Sequence, residues 1–442
     1  MRSLAPQRTA EPVAEPASAR PRPLNGGPLP PTGPEVPSGA APRAITRSHG
    51  AAPRPRIRVL IMTVMPSPYQ RELFAAMAAH PGMDIRVLYY MVSASDRRWG
   101  RPALPPYSRI LPGLSFDFLA RGCCLNPSVV AEVSRGDFDV AIVGDYFTLT
   151  AQIAMRCLTR RRIPWVLWSE SPGLRSRGPI GRWLRRLAQR PVRRHAAAVA
   201  AIGSRAASKY RALLGPGATV FNIPYYCDVR PYLAIRRGWE SRPVWSGRPT
   251  SDRPVRFLFS GQLIPRKGVD ILIRAFESVC ERHPRVTLTI LGDGPGRDRY
   301  RRMVSPEWRP RTRFVGFVQP DGLPRYFAEA DVFVLPSRYD GWGVVVNEAV
   351  AAGMPVIATS AVGAVSDLVE PGRNGFVVAP ADVMGLAAAM RHFADDPGLI
   401  ASMGRRSRQI AGDWTTARGA ERWYAALSHV AARKSPPPPT GT

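Results

Sequence analysis

The sequence predicts an α/β protein built from two doubly wound parallel sheets that face one another across a cleft. Three observations carry that expectation. Short apolar runs alternate with amphipathic helical stretches along most of the 442 residues, the pattern of βαβ units on a parallel sheet. The runs, such as IRVLIMTV from Ile57 and DVFVLP from Asp331, are apolar at successive positions, as strands covered on both faces must be. The rhythm also occurs twice, and the polar, turn-rich text YLAIRRGWESRPVWSGRPTSDRP between the two series reads as an interdomain linker at residues 231–254.

In the first domain, residues 56–230, the strand from Ile57 leads into the helix PYQRELFAAMAAH, with Pro68 at its start, where a missing amide is tolerated. MDIRVLYYM, DFDVAIVG, IPWVLWS and AAAVAAIGS follow as strands. The second domain, residues 255–415, opens on VRFLFSG and the helix VDILIRAFESVCERH. It continues through the strands VTLTILG and TRFVGFV, the helix LPRYFAEA, the strand DVFVLPS, the helix NEAVAAG and the strand PVIATS. Residues 416–434 read as an amphipathic helix, with Trp414 just before it and Trp423 and Tyr424 within it. Residues 1–55 and 435–442, dominated by Pro, Ala, Gly and Arg or by Pro alone, are expected to be disordered. Open α/β sheets bind ligands outside the carboxyl ends of their strands, so the chemistry is expected in the loops there.

Composition narrows the class. The net charge is +29, and it is concentrated: from Arg156 to Arg211 there are fifteen Lys or Arg and one acid, Glu170. Such a patch attracts anions over a Debye length of about 8 Å, whether phospholipid, an anionic acceptor or nucleic acid. Five cysteines (Cys123, Cys124, Cys157, Cys227 and Cys280) form no CxxC pair and no metal spacing, which fits a reducing compartment. No run approaches the roughly 18 apolar residues of a membrane span. The N-terminus lacks the apolar core of a signal peptide, so a cytoplasmic location is expected.

The second domain punctuates its strand ends with residues suited to a charged ligand. After FLFSG, which ends at Gly261, comes QLIPRKG, placing Arg266 and Lys267 before a helix. Two cations beside a helix N-terminus suit a phosphate or diphosphate, although alone they read equally well as a solvated basic turn. GDGPG, with Gly292, Gly294 and Gly296, has the wrong spacing for a dinucleotide fingerprint and reads as a tight turn shaping the cleft. After DVFVLPS comes YDGWGVVVNEAVAAG. Gly341 and Gly343 let the backbone approach a ligand closely, with amides near Gly343 and Val344 expected to face the cleft. An ionised carboxylate offers only acceptors, so Asp340 suits sugar hydroxyls and Glu348 the two hydroxyls of a ribose. Each acid alone is equally an ordinary turn or helix-terminus charge.

Taken together these motifs resemble the retaining family-4 glycosyltransferases, "glycosyl transferases group 1", which have the GT-B fold of two Rossmann-like domains. The hallmark of that family stands here as DGWGVVVNEAVAAGMPVIA, with the strand before RKGVDILIRAF, LGDGP, VGFV and VEPGRNGFVV matching in order. The likeness is strong over residues 255–415 and weak over the first domain. It implies a nucleotide-diphosphate sugar donor and a metal-independent hexosyl transfer with retention, to a glycan or lipid-linked acceptor in polysaccharide or cell-envelope synthesis. No cofactor is implied. It implies that Arg266 and Lys267 hold the diphosphate, that Asp340 faces the transferred sugar beside the amides of Gly341 to Val344, and that Glu348 holds the ribose. Gly261, Gly292 and Val318 would line the same donor site, Val318 bordering the base. Asp340 departs from the family, where most members have Glu. The last helix is implied to cross back to the first domain, residues 56–230, which would bind the acceptor.

That first domain is less legible. Pro68 and Tyr69 in MPSPYQR, Asp145 in VGDYF and Glu170 in WSESPG stand at strand ends and are the acceptor-side candidates. Asp137 and Asp139 begin a strand, at the wrong end for a cation site. The basic stretch Gly178 to Arg194 places Ile180, Leu184 and Leu187 on one helix face among arginines, with Pro191 expected to end the run. Its stripe either packs on its own domain or lies on an anionic membrane at the inner face; no specific nucleic acid is expected. The competing readings are an anion- or RNA-binding protein of the same fold without catalysis, or an isomerase, hydrolase or phosphorylase on that fold.

Overall fold

The computed structural model describes residues 56–93, 103–115, 124–172, 178–235 and 254–433. The expected tails and most of the stretch expected as a linker lie outside the described residues. Residues 54–442 form one unit, within which two parallel sheets define two lobes.

The first sheet holds seven strands: β1 (Ile57–Thr63), β2 (Met83–Tyr89), β3 (Ser108–Ile110), β6 (Val140–Val143), β7 (Trp165–Ser169), β8 (Ala198–Ala201) and β9 (Val220–Asn222). Their order is β3-β2-β1-β6-β7-β8-β9, and every pairing is parallel. A short antiparallel pair, β4 (Leu114–Ser115) and β5 (Cys124–Leu125), stands outside it. The helices are α1 (Pro68–Ala79), α2 (Val129–Arg135), α3 (Leu149–Arg160), α4 (Gly178–His195) and α5 (Ser204–Leu214). Because helices cover both faces, β6 is buried at every position.

A short helix, α6 (Arg230–Ile235), precedes the second sheet and puts Tyr232 5.1 Å from Phe327 of the second lobe. That sheet comprises β10 (Val255–Ser260), β11 (Val286–Leu291), β12 (Thr312–Gly316), β13 (Val332–Leu335), β14 (Val356–Thr359) and β15 (Gly375–Val378), in the parallel order β12-β11-β10-β13-β14-β15. Its helices are α7 (Val269–Cys280), α8 (Arg297–Met303), α9 (Leu323–Glu329), α10 (Val345–Ala351), α11 (Val365–Leu368), α12 (Val383–Asp395) and α13 (Gly398–Ala411). Counted within the lobe, the order is 3-2-1-4-5-6, which reverses direction between β10 and β13 and opens a crevice at their carboxyl ends. The first lobe reverses between β1 and β6 in the same way.

The last helix, α14 (Thr416–Ala432), is capped by the Thr415 side chain and packs on the first lobe. Trp423 is fully buried with its ring edge-on to Trp168, 5.5 Å away, and Tyr424 lies 4.5 Å from His80. Trp414 stacks between Tyr226 and Trp342, 5.7 and 5.8 Å away, joining both lobes. One expectation fails: Pro191 does not end α4, which runs on to His195. Proline removes one helical hydrogen bond, but burial of Gln189 and Val192 holds the last turns. Gln152 Nε2 also donates to the Ala188 carbonyl at 2.9 Å.

Gly292 shows how tightly the crevice floor is built. Its φ is +120°, and a Cβ there would collide with the Gly261 carbonyl oxygen. Gly292→Ala is therefore expected to destabilise the fold by about 1–3 kcal/mol, read as a lower urea midpoint; an unchanged midpoint would show that the loop relaxes freely.

Candidate active site

Arg266, Lys267 and Asp340 come from the loops after β10 and β13, the two strands that flank the reversal of order in the second sheet. Lys267 Nζ donates to Asp340 Oδ2 at 2.5 Å and Arg266 Nη1 to Asp340 Oδ1 at 3.3 Å. Arg266 also donates to the Tyr339 carbonyl, and its own carbonyl accepts from the Arg338 amide. Arg338 grips Asp270 with both guanidinium nitrogens at 2.8 and 2.6 Å, pinning this loop to the start of α7. Burial pushes the Asp340 carboxyl upward, but Lys267 and Arg266 outweigh it and hold the group below its usual range. Two fixed cations and an ionised acid therefore share one crevice.

The loop from Asp340 to Val344 is fastened on both sides. The Asp340 amide donates to the Ala361 carbonyl and its carbonyl accepts from Gly363. Trp342, buried to 1% exposure, donates from Nε1 to Asn347 Oδ1 at 2.9 Å, and Asn347 reaches the Tyr225 carbonyl of the first lobe. Among the described residues, the amides of Gly341 to Val344 donate to no carbonyl, so a rigid loop presents several unused donors.

Glu348 sits one turn into α10 and is partly buried. Burial first, and the neighbouring charge of Glu72 from α1 second, push its carboxyl up to about 8, with the Tyr232 hydroxyl bonded to it. Glu72 itself accepts from the Asp228 amide and is likewise raised by burial. Gly261 packs beneath the Lys267 chain, and Gly292 lies on Gly261. Val318 follows β12, beside Gly322 and next to the exposed ring of Phe317.

The first-lobe candidates separate. Glu170 lies directly against Gly341, where a Cβ would meet its carboxylate, so it faces the donor-side loop. Pro68 opens α1 and Tyr69 meets Tyr225 at 4.7 Å. Asp145 spends its oxygens locally, accepting from the amides of Phe147 and Thr148 at 2.9 and 2.8 Å and from Thr148 Oγ1; burial raises its carboxyl. Asp137 and Asp139 both pair with Arg58, at the amino ends of β1 and β6. Among the described residues, no three His, Cys, Asp or Glu side chains are grouped to hold a metal ion.

With that geometry in place, likeness to solved structures decides the architecture. Sucrose-phosphate synthase from Thermosynechococcus elongatus superposes with a TM-score of 0.66 at 20% identity, over 86% of this chain and all of that one. Anabaena HepE, solved with UDP, gives 0.64 at 19% identity over 84% of this chain and all of that one. The fold is GT-B.

The second GT-B lobe is also similar in sequence to known proteins. Residues 254–396 match the family model described as Glycosyl transferases group 1. Glycogen synthase of Mycobacterium tuberculosis is 35% identical over 215 residues, 46% of this chain and 48% of that protein. A GDP-mannose-dependent alpha-(1-6)-phosphatidylinositol monomannoside mannosyltransferase of Mycolicibacterium smegmatis is 33% identical over 225 residues, 48% of this chain and 57% of that protein. The chain thus spans about half the length of the curated relatives it matches.

Several residues at the seam between the GT-B lobes escape sequence reading. Asp367 of α11 accepts from the Ser204 amide and hydroxyl and from Asn222 of the first lobe, and Arg205 donates to the Ser360 carbonyl. Glu72 and Tyr232 surround Glu348. All are single polar residues far from the motifs they serve. Only Trp342, framed by two glycines, carries a local signal.

Proposed function

We propose that the protein is a glycosyltransferase that moves a sugar, with retention and without a bound metal, from a nucleoside-diphosphate sugar to a glycan or lipid-linked hydroxyl. The observation that carries this reading is the constellation of Arg266, Lys267 and Asp340 at the crevice of the second lobe, with Glu348 behind it. The two cations suit the diphosphate, the unused loop amides its outer oxygens, Glu348 the ribose hydroxyls and Asp340 the sugar. The family match over residues 254–396 supports the donor half of the reading.

The chemistry then has a simple balance. The bond from the anomeric carbon to the diphosphate oxygen breaks, the acceptor oxygen attacks from the same face, and its proton passes to the leaving diphosphate. Negative charge grows on that diphosphate, and preorganised cations are worth most where charge develops. Arg266 and Lys267 do in this scheme what a divalent ion would otherwise do. Glu170, against Gly341, is the first-lobe acid placed to orient the acceptor. Peripheral contact with the inner face of a membrane fits a lipid-linked acceptor; no helix among the described residues is long and apolar enough to cross one.

Calorimetric titration with UDP, GDP and ADP, in the presence of chelator, tests the reading. One nucleoside diphosphate is expected to bind in the micromolar range and so to name the base. Failure of all three to bind a folded sample would overturn it, and hydrolysis of a nucleotide sugar with no transfer to any acceptor would replace transferase by hydrolase.

A further inference from the structure

Helix α4 wears its apolar stripe on the outside. Ile180, Trp183, Leu184 and Leu187 are 74%, 62%, 53% and 49% exposed, at the i, i+3, i+4, i+7 spacing that defines one face of a helix. The residues that hold α4 to its lobe lie on the opposite side. Gln189, roughly 180° around from Ile180 at about 3.6 residues per turn, is buried and donates to the Tyr146 hydroxyl, and Val192 is buried beside it. A stripe packed on its own domain, one of the two readings the sequence allows, is therefore not what the fold contains. The helix has no acid and carries six arginines. Arg186, Arg190 and Arg194, four residues apart, line one edge of the stripe.

Its surroundings extend the surface. Phe147 and Leu149, 55% and 49% exposed, stand at the carboxyl end of β6 and the start of α3, the helix against which Gln152 ties α4. Nine of the eleven large apolar side chains exposed among the described residues belong to the first lobe, so the feature is not a general property of this chain. In a doubly wound sheet, a helix that follows a strand starts at that strand's carboxyl end. Ile180 and Trp183 are thus on the crevice side of the lobe, the side on which Glu170 meets Gly341.

We propose that α4 is a docking helix for an anionic phospholipid bilayer, with Ile180, Trp183, Leu184 and Leu187 seated at the boundary of headgroups and acyl chains and the arginines on lipid phosphates. Only such a surface offers phosphate and hydrocarbon together. Nucleic acid would answer the arginines but leave three aliphatic side chains in water, and single-strand binders use several stacking aromatics where this face has one. A second copy of the chain would set six arginines against six. The docking itself is independent of the donor reading. Its corollary, that the acceptor hydroxyl is carried on a lipid of the same bilayer, rests on that reading.

Flotation of the full chain with vesicles at about 0.15 M salt tests this, comparing phosphatidylcholine alone with phosphatidylcholine mixed with phosphatidylglycerol. The chain is expected to float with the anionic vesicles and scarcely with the neutral ones. Ile180→Ser, Trp183→Ser, Leu184→Ser and Leu187→Ser combined should lower partitioning at least about tenfold at unchanged charge. Arg186→Gln, Arg190→Gln and Arg194→Gln combined should lower it on anionic vesicles only. Absence of flotation would overturn the proposal. So would equal flotation of the serine variant, which would mark adsorption by charge alone. A dimer, or an RNA complex, that the serine substitutions abolish in a chain that does not float would replace the bilayer with that partner. Calorimetry on the same samples keeps the two readings apart. Nucleotide binding without flotation removes the docking helix, whereas flotation without nucleotide binding removes the transferase and the lipid-acceptor corollary.

Discussion

Replacing Lys267 by Ala is expected to cut sugar transfer by roughly 10²–10³-fold, the usual loss when one preorganised group aimed at developing charge is removed. The reason is positional. Lys267 and Asp340 are 12% and 11% exposed, so the cation acts where water screens it little and its field at a bound diphosphate is correspondingly strong. The same burial makes the substitution costly to the fold, because the Asp340 carboxylate is left with Arg266 alone, at 3.3 Å, and losing one of two partners of a buried acid costs about 1–3 kcal/mol. Lys267→Gln separates the two effects. It keeps a donor for Asp340, so the unfolding midpoint should largely recover, while the positive charge and the turnover stay lost. Steady-state kinetics with the nucleotide sugar, run beside thermal unfolding, decides the matter. A folded Lys267→Gln variant turning over within threefold of the parent would show that this lysine is scaffolding for Asp340.

Asp340→Ala is expected to lower turnover more than nucleotide affinity, read by steady-state kinetics beside calorimetric titration of the nucleoside diphosphate. The Asp340 carboxylate is already held by two cations without any ligand, so a diphosphate that recruits Lys267 and Arg266 must share them with it. The pairing of both cations with one internal acid was only half legible in the sequence. The motifs RKG and YDGWG could be read as phosphate and sugar loops because glycines, cations and acids at strand ends have few other uses in such numbers. That the two loops meet follows from the order of the strands, since β10 and β13 are neighbours although more than seventy residues separate them. Alternation of apolar runs gave the βα units. The partners of Glu348 and Asp367 were not readable, because each is one polar residue on a distant element and no local pattern marks it. The outward face of α4 was unreadable for a related reason: amphipathicity fixes a stripe but not which side of it the lobe covers.

The pH dependence of nucleotide binding should expose Glu348. A carboxylate accepts from the ribose hydroxyls only when ionised, since the protonated form gives up acceptor capacity and becomes a donor. Burial, followed by the charge of Glu72, pushes its carboxyl up to about 8, so near pH 7 only about a tenth is ionised, a handicap of roughly 1.4 kcal/mol. Nucleoside diphosphate affinity should therefore rise by up to about tenfold from pH 7 to 9 and level off above. Fold stability should move the opposite way. With a folded pKa above the unfolded one, the group's contribution is complete below about 4.5 and is lost as pH climbs towards 8. Three variants make the assignment specific. Glu348→Gln should flatten the binding profile; Glu348→Ala should also weaken binding by about 1.5–3 kcal/mol, the range for hydrogen bonds to a charged group. Glu72→Gln, which touches no proposed ligand group, should slide the profile to lower pH and raise affinity at pH 7. Isothermal titrations across pH read all three. A wild-type profile that is flat, or one that Glu348→Gln leaves intact, would remove the ribose from Glu348 and with it the argument that α1 of the first lobe tunes donor binding through Glu72.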